Sequence, residues 1–176
     1  MFNFKLDKLS SYKKVPAINY GSFLNYRSRV QAAGKNDPAT AANLRKRCKN
    51  DPLFYINVFC CTYDPRLADP VLPMWTYPFQ DECILEVINS FGKDDILIEK
   101  SRDMGASWLV LMAIEWAWKF HNNLSFLLAS RVQDYVDKIG DPKCLFWKID
   151  AIHRYQPDYM LCVGQEIIHK GKKYPG

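Results

Sequence analysis

The feature that most constrains the fold is a short apolar segment followed by a polar loop and a long apolar segment. Residues 95–99 (DILIE) have the pattern of a short buried strand bounded by charged residues. The loop KSRDMG follows, and residues 106–120 are apolar around most of a helical circumference. Residues 124–130 (LSFLLAS) have the pattern of a second buried strand. This order of strand, helix and strand predicts an α/β fold with a parallel sheet.

The first half of the chain is predicted to be helical. Residues 1–20 lack periodicity and are interpreted as an arm. The motif Asn-Asp-Pro occurs at 36–38 and again at 50–52, and each copy combines a cap with proline at the first helical position. Four prolines between residues 63 and 78 favour an extended, strap-like connection. The helices that we predict here cover residues 22–33, 38–48, 52–62 and 79–89. In the second half, we predict helices over 132–138 and 142–155, and a turn at 164–165.

The charge of the chain is compatible with an acidic partner such as nucleic acid. The formal net charge is +5, from 24 basic and 19 acidic residues, which is only a mild excess. Runs of basic residues usually form a solvated helix face, and this is the alternative interpretation of the basic residues here. The basic residues cluster in two groups, Lys13, Lys14, Arg27 and Arg29, and then Arg45, Lys46, Arg47 and Lys49.

The remaining composition argues against a metal site and a membrane span. The six cysteines show no CxxC spacing, so buried free thiols are favoured over structural zinc, and the three histidines lack ligand spacing. No apolar stretch reaches the length that is needed to cross a bilayer, and the first residues lack the apolar core of a signal peptide. We therefore expect a protein that is cytoplasmic, or intracellular to a host, and that has no contact with a membrane.

The loop between the predicted strand and helix is where a parallel α/β sheet binds phosphate. Compared with the motif GxxxxGK[ST], Gly105 and Ser107 occupy the last glycine and the hydroxyl position. Lys100 replaces the first glycine and Ala106 replaces the lysine, so the strict motif is not met. A lysine at the start of the loop can fold back towards the β and γ phosphates, and Arg102 adds a second cation. An ordinary strand-to-helix turn is the alternative.

The segment KSRDMGASW (100–108) resembles the deviant Walker A segment of phage terminase large subunits, in which the lysine is displaced in this manner. TYPFQDECI (76–84) resembles the adenine-recognising glutamine motif of that family. LLASRVQDYVDKIGDPKCLFWKI (127–149) resembles the family's segment after the second strand, and NDPLFYINVFCCTYDPR (50–66) resembles its N-terminal helical region. These segments occur in the family's order and cover most of residues 50–170.

The resemblance implies an α/β fold, namely an incomplete parallel sheet of the P-loop NTPase (ASCE/RecA-like) type, preceded by a small helical subdomain. Residues 1–78 would be the arm, helical subdomain and proline-rich strap, and residues 79–176 the first part of the ATPase core. Gln80 would recognise the adenine edge, and Ser107 would hold Mg²⁺. The full set implied to bind ATP comprises Gln80, Lys100, Ser101, Arg102, Asp103, Met104, Gly105, Ala106 and Ser107.

Within that set, Lys100 and Arg102 would face the phosphates, Arg102 is the catalytic candidate, and the backbone of 103–106 would cradle the phosphates. Other interpretations of the same residues stay open. Gln80 follows a proline and suits the first turn of a helix, and Ser107 suits a helix cap. Arg102 has acidic neighbours, Asp103 and Glu99, with which it could pair on a surface turn.

The activity that the resemblance implies is ATP-driven packaging of double-stranded DNA into procapsids, in the host cytoplasm and transiently at the portal. The implied partners are double-stranded DNA, a small terminase subunit and the portal protein, and self-association into a ring is compatible with them. The family also has a strand ending in Asp-Glu and a nuclease domain, which would follow Lys170 and do not occur in this sequence. We therefore expect this chain alone to bind ATP weakly or not at all, without useful turnover. Alternatives are another P-loop DNA translocase or helicase-like ATPase, and a non-catalytic module that binds DNA or a packaging partner.

Overall fold

Six α-helices, two short 3₁₀ helices and two short antiparallel hairpins are the regular elements of the described part of the chain. The structure is a computed structural model that describes residues 6, 12, 13, 15, 16, 18–102 and 104–161, and the backbone of 167–169 and 172–174. The helices are α1 (Tyr20–Asn36), α2 (Pro38–Asn50), α3 (Pro52–Phe59), α4 (Pro78–Ser90), α5 (Ala106–Phe120) and α6 (Leu145–Arg154). The strands are β1 (Cys61–Tyr63), β2 (Val71–Pro73), β3 (Ile167–His169) and β4 (Lys172–Tyr174).

Aspartate and proline mark the starts of α2 and α3, as the sequence predicts. The Asp37 carboxylate accepts hydrogen bonds from the N–H groups of Ala39 (3.2 Å) and Thr40 (2.9 Å). The Asp51 carboxylate accepts one from the N–H of Phe54 at 2.8 Å. These contacts satisfy backbone donors that the first turn of a helix leaves without intrahelical partners. Both helix starts are therefore determined by residues adjacent to them in the chain.

The helix α3 lies in the core of the described structure. All eight of its residues are buried, so the dense apolar pattern of this segment correctly predicted its environment. The helix ends at Phe59, and residues 61–63 form β1, which pairs with β2 from the proline-rich strap. The predicted extension of this helix to residue 62 is wrong, because the chain there turns into the hairpin.

The helix α5 packs against α3, α4 and α6 and has the predicted bounds. Its buried side chains include Met112 and Trp116, and burial of a large apolar side chain contributes roughly 1.5–3 kcal/mol. The helix predicted over 132–138 is reduced to a 3₁₀ turn at Gln133–Tyr135, and α6 begins at Leu145 rather than at residue 142. The predicted turn at 164–165 lies outside the described residues.

Residues 95–99 and 124–130 are not hydrogen-bonded strands within the described part of the structure. Ile98 and Phe126 pack against the core, whereas Leu97 is 95% exposed and Leu127 is 94% exposed. The predicted burial of these two segments is wrong for the side chains that point away from the core, such as Leu97 and Leu127, because no described element covers them. A parallel sheet needs paired strands with both faces covered, so the α/β class with its P-loop sheet stays a prediction. We call residues 95–99 and 124–130 the two open segments.

Candidate nucleotide-binding site

The start of α5 is the first component of the candidate site. Its N-cap is Gly105, with φ of 73° and ψ of 8°, a left-handed conformation that favours glycine. Because Gly105 has no side chain, the N-cap itself offers no side-chain acceptor to the N–H groups of the first turn. Those N–H groups and the positive end of the helix dipole suit an anion. This local geometry is compatible with the predicted phosphate loop.

Gln80 is the second component, and the structure places it against the loop. It is the third residue of α4, where its Oε1 accepts a hydrogen bond from the N–H of Tyr77 at 3.0 Å. Its Nε2 donates to the carbonyl oxygen of Met104 at 3.3 Å. A Cβ built on Gly105 would lie 3.9 Å from the same nitrogen. The first-turn interpretation of Gln80 is therefore correct, and the same side chain also contacts the predicted loop.

The polar side chains of the loop face solvent. Lys100, Ser101, Arg102 and Ser107 are all exposed. Among the described residues, none forms an ion pair with Lys100 or Arg102, so the suggested pairing of Arg102 with Glu99 is not present. Asp103 lies outside the described residues. Both cations are thus accessible to an anionic ligand from solution.

The interpretation of Ser107 as a helix cap is not supported. The N-cap is Gly105, α5 begins at Ala106, and Ser107 is the second helical residue. Its hydroxyl is exposed, which leaves the predicted Mg²⁺ role open. Within the described residues, no group of three or more histidine, cysteine, aspartate or glutamate side chains is arranged to hold a metal ion.

A buried polar cluster lies directly behind Gln80, and sequence reasoning did not anticipate it. Lys13 Nζ donates to Asp81 Oδ2 at 2.7 Å and to the carbonyl oxygen of Thr76. The Thr76 hydroxyl donates to Asp81 Oδ1, and the Thr76 N–H donates to Asn57 Oδ1 at 2.9 Å. We call Lys13, Asn57, Thr76 and Asp81 the Lys13 cluster. It joins the N-terminal arm and α3 to the start of α4.

The carboxylate of Asp81 is the acidic member of the Lys13 cluster. Only 4% of the residue is exposed, and burial raises its pKa above the ordinary value. Hydrogen bonds from Lys13 and Thr76 and the charge of Lys13 oppose that effect in part. A signal for this role was the position of Asp81 immediately after Gln80, in the first turn of α4, where a carboxylate interacts favourably with the positive end of the helix dipole.

The basic residues that the sequence grouped into two clusters have mixed roles. Arg27 is buried, and its guanidinium donates to the carbonyl oxygens of Asn57 (3.0 Å) and Cys60 (2.9 Å). Arg45 donates to the carbonyl oxygens of two residues in the 159–161 segment. Lys13 belongs to the buried cluster described above, and Lys14 lies outside the described residues. The exposed basic residues in these groups are Arg29, Lys46 and Lys49.

A second buried polar cluster holds α5 to α3 and α6, away from the exposed loop. Glu115 Oε1 accepts hydrogen bonds from Lys119 Nζ (2.6 Å) and His153 Nε2 (2.9 Å). Its Oε2 accepts one from the Tyr55 hydroxyl at 2.5 Å, and Gln156 contacts both Lys119 and Tyr55. Burial alone would raise the pKa of Glu115, but Lys119 and His153 outweigh burial and hold it at about 2. We call Tyr55, Glu115, Lys119, His153 and Gln156 the Glu115 cluster.

The cysteines of the described chain are free thiols. Cys48, Cys60, Cys61 and Cys144 are buried, and Cys83 is half-buried. This confirms the prediction of buried free thiols for the first four, whereas Cys162 lies outside the described residues. Burial raises the pKa of the Cys60 thiol well above its ordinary value, so this group stays protonated and serves as a small apolar side chain.

Comparisons with known proteins leave this site to be interpreted from its own geometry. A scan against protein-family models gave no match, and searches of curated proteins and of solved structures also gave none. None of the helices in the described part of the chain has the length and apolar character that a membrane span requires. The contact between Gln80 and the loop before α5 is therefore the structural feature that bears on function.

Proposed function

We propose that this chain contains the ATP-binding part of a DNA-packaging motor of the terminase large subunit type. The observation that carries the proposal is the hydrogen bond from Gln80 Nε2 to the carbonyl oxygen of Met104. These residues lie 24 positions apart, and they belong to the two segments that resemble the base-recognising and phosphate-binding motifs of that family. A chance resemblance of two short segments gives no reason for them to meet in space.

The remaining hydrogen-bonding capacity of Gln80 suits a purine edge. A glutamine amide has two donor protons and two acceptor lone pairs. The contact with Met104 uses one proton, and the contact with Tyr77 uses one lone pair. One donor and one acceptor are left, which is the pair that adenine N7 and N6 require from a bidentate glutamine. Base recognition is therefore compatible with Gln80 keeping its contact with the loop.

The phosphate end of the nucleotide would lie over the first turn of α5. The N–H groups that follow Gly105 would bind the phosphate oxygens, and the backbone of 103–106 would surround them. Lys100 and Arg102 are exposed and supply positive charge, with Arg102 the candidate for stabilising charge during phosphoryl transfer. Ser107 would contribute its hydroxyl to Mg²⁺. The cofactors of the proposal are thus ATP and Mg²⁺.

The proposed motor function also implies partners, namely double-stranded DNA and the other proteins of viral DNA packaging. The net charge of +5 and the exposed Arg29, Lys46 and Lys49 are compatible with double-stranded DNA as a partner. Small terminase subunit and portal protein follow as partners, in the host cytoplasm. Because this sequence contains no strand ending in Asp-Glu, we expect weak ATP binding without useful turnover by the chain alone.

Replacement of Lys100 by alanine tests the proposed site. We expect ATP with Mg²⁺ to raise the melting temperature of the wild-type chain, because a ligand that binds only the folded state stabilises it. Lys100→Ala should remove most of that gain, since loss of a hydrogen bond to a charged group costs roughly 1.5–3 kcal/mol, or about 10- to 100-fold in affinity. Thermal unfolding with and without nucleotide, followed by calorimetric titration, measures both quantities.

The matched control is Lys93→Ala, which removes an exposed lysine from the turn after α4, outside the loop. This variant should retain the ATP-dependent gain in melting temperature. Equal affinity for ATP in the two variants would remove the phosphate-loop assignment. Absence of any stabilisation of the wild-type chain by ATP and Mg²⁺ would instead favour a module that binds DNA or a packaging partner without nucleotide.

A further inference from the structure

Two described residues of the N-terminal arm contact opposite ends of α4. The N–H of Leu6 donates to Asn89 Oδ1 at 3.0 Å, near the C-terminal end of the helix. Lys13 reaches the opposite end, where its ammonium group contacts Asp81 at 2.7 Å. The N–H of Lys13 also lies 3.4 Å from the Asp51 carboxylate, which caps α3. Lys13 therefore connects the arm to two helix starts.

The contacts of Lys13 lie on both sides of Gln80 in the chain. Thr76, whose carbonyl oxygen accepts from Lys13, immediately precedes Tyr77, and the N–H of Tyr77 binds Gln80 Oε1. Asp81, which pairs with Lys13, immediately follows Gln80. The two residues that bracket the first turn of α4 are thus held by one side chain. Gln80, which donates to the carbonyl oxygen of Met104, therefore belongs to a segment whose position Lys13 constrains.

The burial of this ion pair makes its effect on α4 substantial. The side chains of Lys13 and Asp81 are 18% and 6% exposed. Without the ammonium group, Asp81 would retain the Thr76 hydroxyl as its described partner while remaining out of contact with water. A buried carboxylate that has lost its cation is unstable in that position, so it either takes up a proton or moves towards solvent. Either change alters the first turn of α4, to which Gln80 belongs.

We propose that Lys13 is a positioning residue for nucleotide recognition, through which the N-terminal arm holds Gln80 against the loop before α5. The inference rests on the proposed function of that site. In this proposal the arm controls recognition of the base, and the loop and α5 hold the phosphates. Detachment of Lys13 should therefore weaken binding of the adenine portion and leave binding of the phosphate portion unchanged.

The test compares ATP with inorganic tripolyphosphate, each with Mg²⁺, as ligands of the full 176-residue chain. Lys13→Met keeps the length of the side chain and removes its charge. We expect ATP affinity to fall about tenfold, the effect of losing roughly one hydrogen bond, while tripolyphosphate affinity stays within about twofold of wild type. Lys13→Arg should recover most of the ATP affinity, and Lys35→Met, at an exposed lysine of α1, should match the wild type in both measurements.

A double variant guards against a chain that fails to fold. Lys13→Met combined with Asp81→Asn removes both charges and leaves neither buried alone, so it should fold and still lose ATP affinity selectively. A merely structural role of Lys13 would lower the affinities for ATP and tripolyphosphate together. That outcome, or unchanged ATP affinity in Lys13→Met, would overturn the positioning role.

Amide hydrogen exchange separates failure of this inference from failure of the proposed function. In the absence of ligand, Lys13→Met should speed exchange in residues 77–84 and 104–108, and Lys35→Met should not. If the wild-type chain binds neither ligand, the nucleotide site is refuted together with the role of Lys13 in base recognition. Unchanged exchange in 104–108 would refute the link between the arm and the loop, whatever the result with nucleotide.

Discussion

Replacement of Glu115 by glutamine should destabilise the chain more than any surface substitution. The side chains of Glu115 and Lys119 have no exposed surface, and the carboxylate has three protein partners. Glutamine has nearly the same shape but no charge, so Lys119 would become a buried cation without its anion. Removal of one partner from a buried ion pair typically costs about 3–5 kcal/mol.

The pKa of Glu115 gives a second route to the same magnitude. Its ordinary value is 4.5, and Lys119 and His153 hold it at about 2 in the folded chain, against the opposing effect of burial. A difference of that size corresponds to roughly 3 kcal/mol in favour of the ionised, folded state. Because the folded pKa is the lower one, this contribution is present above pH 4.5 and is lost as the pH falls towards 2.

Urea unfolding at neutral pH and at several values between pH 4.5 and pH 2 measures both effects. Glu115→Gln should be less stable than wild type by about 3 kcal/mol at neutral pH, and the two should converge as the pH falls through that range. Glu115→Gln combined with Lys119→Met should recover much of the loss, because no charge is then left buried. A loss below about 1 kcal/mol, or a difference that does not change with pH, would refute the proposed role of the Glu115 cluster.

Two glycines, each with a second glycine as its control, give further tests by urea unfolding and ATP titration. Gly105→Ala should cost about 1–2 kcal/mol, because its φ of 73° is left-handed while its Cβ would meet nothing closer than 3.9 Å. Gly92→Ala, with φ of 71° in open space, should lose the same stability but should not weaken ATP binding as Gly105→Ala does. Gly34→Ala should cost about 1–3 kcal/mol, because its Cβ would lie 2.5 Å from the Tyr159 ring. Gly21→Ala, whose nearest neighbour is 3.5 Å away, should be neutral or slightly stabilising, and equal losses in these two variants would contradict the packing of Tyr159.

The parts of the fold that were predictable from the sequence depend on neighbouring residues. Asp37 and Asp51 cap the helices that their own sequence motifs predict, and α5 has the bounds that its apolar pattern indicates. The hairpin of β1 and β2 was not anticipated within the proline-rich strap. Pro73 lies opposite Cys61, in a pair that exchanges no ladder hydrogen bond, and the next N–H, that of Met74, donates to the carbonyl oxygen of Cys60 at 3.0 Å. Proline at this position therefore removes no hydrogen bond from the hairpin.

The parts that were not predictable depend on distant partners. Lys13 and Arg27 belong to basic clusters in the sequence, yet Lys13 is half-buried and Arg27 is buried, and each donates to acceptors from other segments. Local sequence carries no signal for an acceptor 30 or 68 positions away. The hydrogen bond between Gln80 and Met104 was also not predictable, because the sequence indicated the two motifs but not that they contact each other. In the two open segments the sequence is apolar, but no described element packs against the side chains that point away from the core.

Three helices in succession, α2, α3 and α4, begin with a proline. Proline restricts φ to a helical value in the unfolded chain as well as in the folded one, so part of the entropy loss at each helix start precedes any tertiary contact. The helices can consequently form from local information at an early stage of folding. The two open segments depend on partners that are remote in the chain, and contacts of that kind form late. We therefore expect the helices to form before the two open segments become organised.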